Sequence, residues 1–125
     1  MRAGYEAMGQ GDFQTVLDLM DPRIEIRDRP EIPDPQTYRG RDGVLAAMQR
    51  NSDGFEDFEM IPESFVENGE MIVVTILMRG RGRVSGAPVE ERIAHLWTVR
   101  DGNAVALQVY SDPDDALRAA GLLAA

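Results

Sequence analysis

The apolar positions of the chain change period partway along: early segments recur at three and four residues, as on a helix face, and from Phe55 onward they alternate as in strands. Tyr5 to Met8 predicts a short helix that ends at the Gly9-Gln10-Gly11 break. Asp12 then stands as an N-cap for Phe13, Val16, Leu17 and Met20, and Asp21-Pro22 stops this second helix. Ile24, Ile26 and Asp28 alternate with Glu25, Arg27 and Arg29, predicting a half-buried strand that runs into a loop holding Pro30, Pro33 and Pro35. Val44, Leu45 and Met48 form the stripe of a third helix over Asp42–Asn51, closing at Gly54.

Three hairpin turns follow, at Asn68-Gly69, Ser85-Gly86 and Asp101-Gly102, and predict an antiparallel meander of four strands. A last helix starts at Ser111-Asp112-Pro113, with a capping side chain, proline at the first position and acids (Asp112, Asp114, Asp115) in the first turn; it ends at Gly121. Two-residue turns set the register by counting. One face then carries Leu77, Arg79, Ala94, Leu96, Leu107 and Val109, and the other Ile76, Met78, Ile93, His95, Trp97, Gln108 and Tyr110. The same count sets Arg81 opposite Glu90 and His95 across from Gln108. Both faces are largely apolar, yet a helix is about 10 Å wide and strands lie about 4.8 Å apart, so a few short helices cover only one of them. The other face predicts a symmetric homodimer, sheet against sheet.

Composition narrows the chemistry. Thirteen basic residues, all arginine, against 22 acidic ones leave a net charge of −9, which excludes nucleic acid as a partner. Without lysine there is no Schiff base and no P-loop, and without cysteine no disulfide framework or thiolate metal site. One histidine, His95, cannot build a His-rich metal centre, and Gly-x-Ser-x-Gly is absent. No apolar run approaches the roughly 18 residues of a membrane span, and no export signal opens the chain, so the expectation is a cytoplasmic protein with no cofactor, no metal and no membrane partner. Met1-Arg2 opens directly on the first helix, as a chain missing a few native residues would. Carboxylates, arginines, three tyrosines and one imidazole remain for chemistry.

The order of elements resembles the cystatin-like α+β cone of ketosteroid isomerases, SnoaL-like polyketide cyclases and nuclear-transport-factor-like domains. The resemblance is carried by Tyr5-Glu6-Ala7-Met8 before Gly11-Asp12, by Tyr38-Arg39-Gly40-Arg41-Asp42-Gly43-Val44, by Ala94-His95-Leu96-Trp97-Thr98-Val99-Arg100-Asp101-Gly102, and by Val109-Tyr110-Ser111-Asp112. It spans nearly the whole chain and implies one SnoaL-like domain over residues 1–125, with a curved antiparallel sheet wrapped on N-terminal helices and a short C-terminal helix. It places the isomerase's general base on Asp28. The isomerase's oxyanion hole, a first-helix tyrosine and a neutral aspartic acid just before the histidine, falls on Gly4 and Ala94, with Tyr5 one residue away. The resemblance further implies a pocket lined by Tyr5, Phe13, Tyr38, Met48, Leu77, Arg79, Ala94, Leu96 and Val109, leaving His95, Trp97, Gln108 and Tyr110 for the dimer. SnoaL-like cyclases, which use a meander histidine and aspartate in the cavity, imply the opposite face, so two pocket faces stay open.

The function expected is a pocket for a small hydrophobic molecule, with cofactor-free acid–base chemistry of isomerase, cyclase or hydrolase type. Asp28 would be the base and Tyr5, Tyr38 or His95 the acid partner. The alternative is a binding or dimerisation module without turnover. Against each role stands a plain reading: Asp28 as a solvated strand end, His95 as a core or interface histidine, Trp97 and Tyr110 as packing residues, and Arg79, Arg81 and Arg83 as cross-strand charge partners in place of an anion site at Arg79 and Arg92.

Overall fold

In the computed structural model, which describes residues 1–124, the chain opens with two short helices, α1 (Arg2–Gly9) and α2 (Phe13–Asp18). Gly11, at φ +74°, makes the break between them, and the Asp12 side chain caps α2 by accepting from the Thr15 amide at 3.2 Å. The second helix stops two residues short of Met20. That methionine instead opens β1 (Met20–Arg27), where the Ala104 amide donates to the Leu19 carbonyl and Met20 pairs with Ala104. Pro22, which has no amide proton to give a ladder, lies where the β1 register slips, between Met20 and Glu25.

The remaining elements are β2 (Thr37–Arg39), α3 (Gly40–Gly54), β3 (Phe55–Asn68), β4 (Met71–Gly82), β5 (Pro88–Arg100), β6 (Asn103–Tyr110) and α4 (Pro113–Ala119). Six strands form one curved, open sheet in the order β2-β1-β6-β5-β4-β3. It is mixed, because β1 runs parallel to β6 while every other pair is antiparallel. The three-residue β2 after the proline loop is not marked by any alternation; pairing of Tyr38 with Ile26 creates it. This is the α+β cone, with the N-terminal helices on one face and the C-terminal helix on the other.

The meander is present, but its registers depart from simple counting. The first turn sits one residue later, so that Asn68 pairs with Met71, and the second is a wider loop closed by the Gly82 amide on the Ala87 carbonyl. Arg79, and not Arg81, therefore faces Glu90. The Asp101-Gly102 turn is where expected, with both residues at positive φ. Three bulges then change which side chains share a face. In β3, Glu63 has no partner beside Pro62, and Asp57 (φ +51°) bulges out opposite Gly80, where an added Cβ would meet the Glu56 carbonyl oxygen at 3.2 Å. In β6, Val105 is the extra residue between the pairs Val99–Ala104 and Thr98–Ala106.

The Val105 bulge reverses β6 relative to the counted register. His95 pairs with Val109 and Trp97 with Leu107, while Ala94 and Leu96 pair with Tyr110 and Gln108. Helices α1–α3 pack on the first of these sides, burying Tyr5, Val16 and Val44 against Ile24, Ile76, Ile93 and Trp97. On the other side, Ala116 of α4 and Ala120, its C-cap, seat on Val73 and Ala94, flanked by Leu96 and Tyr110. Part of the second apolar face is thus covered by the chain's own last helix. That helix begins with the expected Asp112 cap and Pro113, and Gly121 follows it at φ +75°.

Candidate functional site

Between the sheet and α1–α3 lies a cavity of about 620 Å³. Its walls are mostly aliphatic and thioether side chains, Met8, Ile26, Val44, Met48, Met60, Met78, Ile93 and Leu107 among them. Two polar groups of residues interrupt this lining.

The first lies on the inner wall. The Trp97 indole Nε1 donates to the Tyr5 hydroxyl at 2.7 Å, and the Tyr5 hydroxyl lies 2.7 Å from His95 Nδ1. All three rings are buried and stand edge-on or stacked on one another at centroid distances of 5.9–6.4 Å. Burial pushes the His95 pKa down to about 4 and raises that of Tyr5, so both are neutral near pH 7. His95 Nε2 has no protein partner. Among the described residues no buried side-chain nitrogen or oxygen lacks a hydrogen bond, so this nitrogen reaches the open space of the cavity that His95 lines.

The second polar group stands at the end of β1. Asp28 continues the inward side of Ile24 and Ile26 and lines the cavity. Its Oδ2 accepts from Arg50 Nη1 at 3.0 Å and from the Gln36 amide at 2.9 Å, which leaves Oδ1 without a protein donor. Arg50, projecting from α3, also donates to the Tyr38 hydroxyl (3.1 Å) and to the carbonyls of Pro33 and Asp34 (3.1 and 3.2 Å). It thereby fastens the proline loop beside the carboxylate. Arg29, the next residue, forms a two-point ion pair with Glu91 of β5 at 2.7 and 3.0 Å. Since Arg27 pairs with Gln108 and Val109 with His95, Asp28 and His95 belong to strands two apart, about 10 Å between backbones.

Of the residues singled out in the sequence, Asp28, His95, Tyr5, Tyr38, Met48, Val109 and Trp97 line this cavity. Leu77, Arg79, Ala94 and Leu96 do not, which corrects the face assigned to them: α1–α3 pack on the opposite side of β4 and β5. Ala94 is fully buried under α4, and Arg79 is exposed beside Glu59. Phe13 points away, 47% exposed, toward a second hollow of about 400 Å³ that it shares with Phe55 and Phe58. Gln108 and Tyr110 lie on the far face, the Gln108 amide donating to the carbonyls of Asp28 and Val109. Arg92 pairs with Glu63 at 2.9 Å, and Arg81 with Asp57 at 3.0 Å. Arg50 escapes sequence reading altogether, for nothing local ties a helix arginine to a carboxylate 22 positions earlier.

The chain belongs to the SnoaL-like domain family, which matches residues 1–107. No curated protein matches it. Among solved structures it is similar to an NTF2-like protein of unknown function from Burkholderia pseudomallei, at 27% identity over 99% of this chain and 94% of that one, with a TM-score of 0.77. An NTF2-like protein from Burkholderia xenovorans shares 30% identity over 94% of this chain and 88% of that one (TM-score 0.73). A hypothetical protein from Catenulispora acidiphila with a ketosteroid isomerase-like fold, solved in complex with trimethylamine, shares the fold at 16% identity (97% and 91% covered, TM-score 0.76). No helix of the described residues is long and apolar enough to cross a membrane.

Proposed function

We propose that the protein holds one small, neutral, largely apolar molecule between its sheet and first three helices and transfers a proton on it without a cofactor. Asp28 is the base in this reading. The observation that carries it is the pairing of an open carboxylate oxygen and an open imidazole nitrogen on two walls of an otherwise apolar cavity. Arg50 and the Gln36 amide hold Asp28 by one oxygen only, so the other is free to take a proton from carbon beside a carbonyl or from a water attacking an epoxide. The Tyr5–His95 pair supplies the polar contact on the inner wall.

A second reading, binding without turnover, draws support from the Tyr5 hydroxyl: it is engaged within the protein on both sides and offers no direct oxyanion donor. One series separates the two. Thermal-shift screening with steroid enones, polyketide-type aromatics and terpenoid epoxides finds binders, and Asp28→Asn is then compared with the wild type on each. Retained binding with turnover reduced about 10²- to 10⁴-fold supports Asp28 as base. Binding with no turnover by either protein supports the binding module, and unchanged turnover in Asp28→Asn removes the proposed base.

A further inference from the structure

We infer that Tyr5 and Trp97 act on the ligand only through His95: together they fix its imidazole with the proton on Nε2, so the inner wall offers a hydrogen-bond donor and accepts only a ligand oxygen able to receive one. This rests on the reading of the cavity as the ligand site. The indole nitrogen of a tryptophan can only donate. Trp97 Nε1 at 2.7 Å therefore makes the Tyr5 oxygen an acceptor. The one proton Tyr5 carries goes to its other partner, His95 Nδ1, also at 2.7 Å. Nδ1 is then an acceptor, and a neutral imidazole with an accepting Nδ1 bears its hydrogen on Nε2. Nε2 is the nitrogen left facing the cavity.

The opposite arrangement is disfavoured twice. An Nδ1–H would point at the Tyr5 oxygen, leave the tyrosine proton without an acceptor in a buried site, and present a bare lone pair to the cavity. An imidazolium would likewise leave the Tyr5 proton without an acceptor, and would place a charge among Trp97, Phe65 and Ile93. The chemistry that follows is specific. A carbonyl, quinone or epoxide oxygen is matched at this wall; an ammonium or other donor-only group is not. Tyr5 and Trp97 are positioning residues, since neither hydroxyl nor indole hydrogen is available to the ligand.

Because the chain has a single histidine, the test is unambiguous. Long-range ¹H–¹⁵N spectra of histidine-labelled protein at pH 7 are expected to show one imidazole protonated at Nε2 and bare at Nδ1, and Tyr5→Phe is expected to shift that pattern toward a tautomer mixture. An Nδ1–H or doubly protonated ring in the wild type overturns the inference. Binding is read with two fluorescent probes, 2-acetylnaphthalene and 2-ethylnaphthalene, which differ in one carbonyl. The ketone-to-hydrocarbon affinity ratio is expected to fall about fivefold in His95→Phe, the size of one neutral hydrogen bond, and by a lesser factor in Tyr5→Phe. An unchanged ratio overturns this inference while leaving the cavity reading intact. Failure of both probes to bind the wild type overturns the two together.

Discussion

The Tyr5 hydroxyl lies 2.7 Å from Nδ1 of His95 although 90 positions separate them, and together with the Trp97 bond to the same hydroxyl this contact joins the first helix to β5. Burial of the same imidazole makes stability depend on pH. With its folded pKa near 4 against an ordinary value of 6.5, His95 takes up a proton more readily in the unfolded chain. The unfolded state then binds more protons between those values, so stability is complete above about pH 6.5 and falls as pH drops toward 4, by about 3 kcal/mol over the window. Urea titrations of wild type and His95→Phe at intervals from pH 4.5 to 7 check this: the stability of the wild type relative to the variant should fall as the pH falls, and a constant difference refutes it.

Arg50 holds Asp28, Tyr38 and two carbonyls of the proline loop at once. Its side chain is 39% exposed, which weakens each contact. Arg50→Met is expected to cost about 1–2 kcal/mol and, more tellingly, to speed amide exchange at Gln36, whose N–H donates to Asp28 Oδ2. Protection at Gln36 equal to that in the wild type would show that the loop does not depend on Arg50.

Gly43 sits in α3, where helix propensity alone favours alanine by up to about 1 kcal/mol. Yet a Cβ there would stand 2.9 Å from the Tyr38 carbonyl carbon and 3.2 Å from the Tyr38 Cβ. Gly43→Ala is therefore expected to lower the melting temperature, at a cost of about 1–3 kcal/mol, by pushing β2 away from the helix. A higher melting temperature would mean that β2 yields freely.

The Asn68 side chain donates to the Ala120 carbonyl at 2.6 Å, tying the β3–β4 turn to the end of α4. Asn68→Ala is expected to cost about 1 kcal/mol and to loosen α4 over Val73 and Ala94, seen as increased binding of a hydrophobic dye. Dye binding at the wild-type level would show that α4 is held by Ala116 and Ala120 alone.

Trp97, expected on the dimer face, is buried under α1–α3, so we propose for a second copy the part of the opposite face that α4 leaves open, around Leu77. Light scattering at micromolar concentration should then report twice the 13.9 kDa chain mass, and Leu77→Glu should halve it. A wild-type mass of one chain ends the dimer proposal.

What the sequence alone determined is local. Asp12 with Gly11, Pro113 with Asp112, and Asp101-Gly102 each specify a cap or turn within a few residues, and the change of period at Phe55 separates helices from meander. The Asp28 position was legible for the same reason, as the inward continuation of Ile24 and Ile26. Tertiary structure decided which face is which. A single unpaired residue, Val105, turns half of β6 over, because side chains alternate with a period of two and no local signal marks where a strand will bulge. The parallel pairing of β1 with β6, the creation of β2, and the reach of Arg50 to Asp28 and of Tyr5 to His95 depend on partners far apart in the chain, and only packing brings them together.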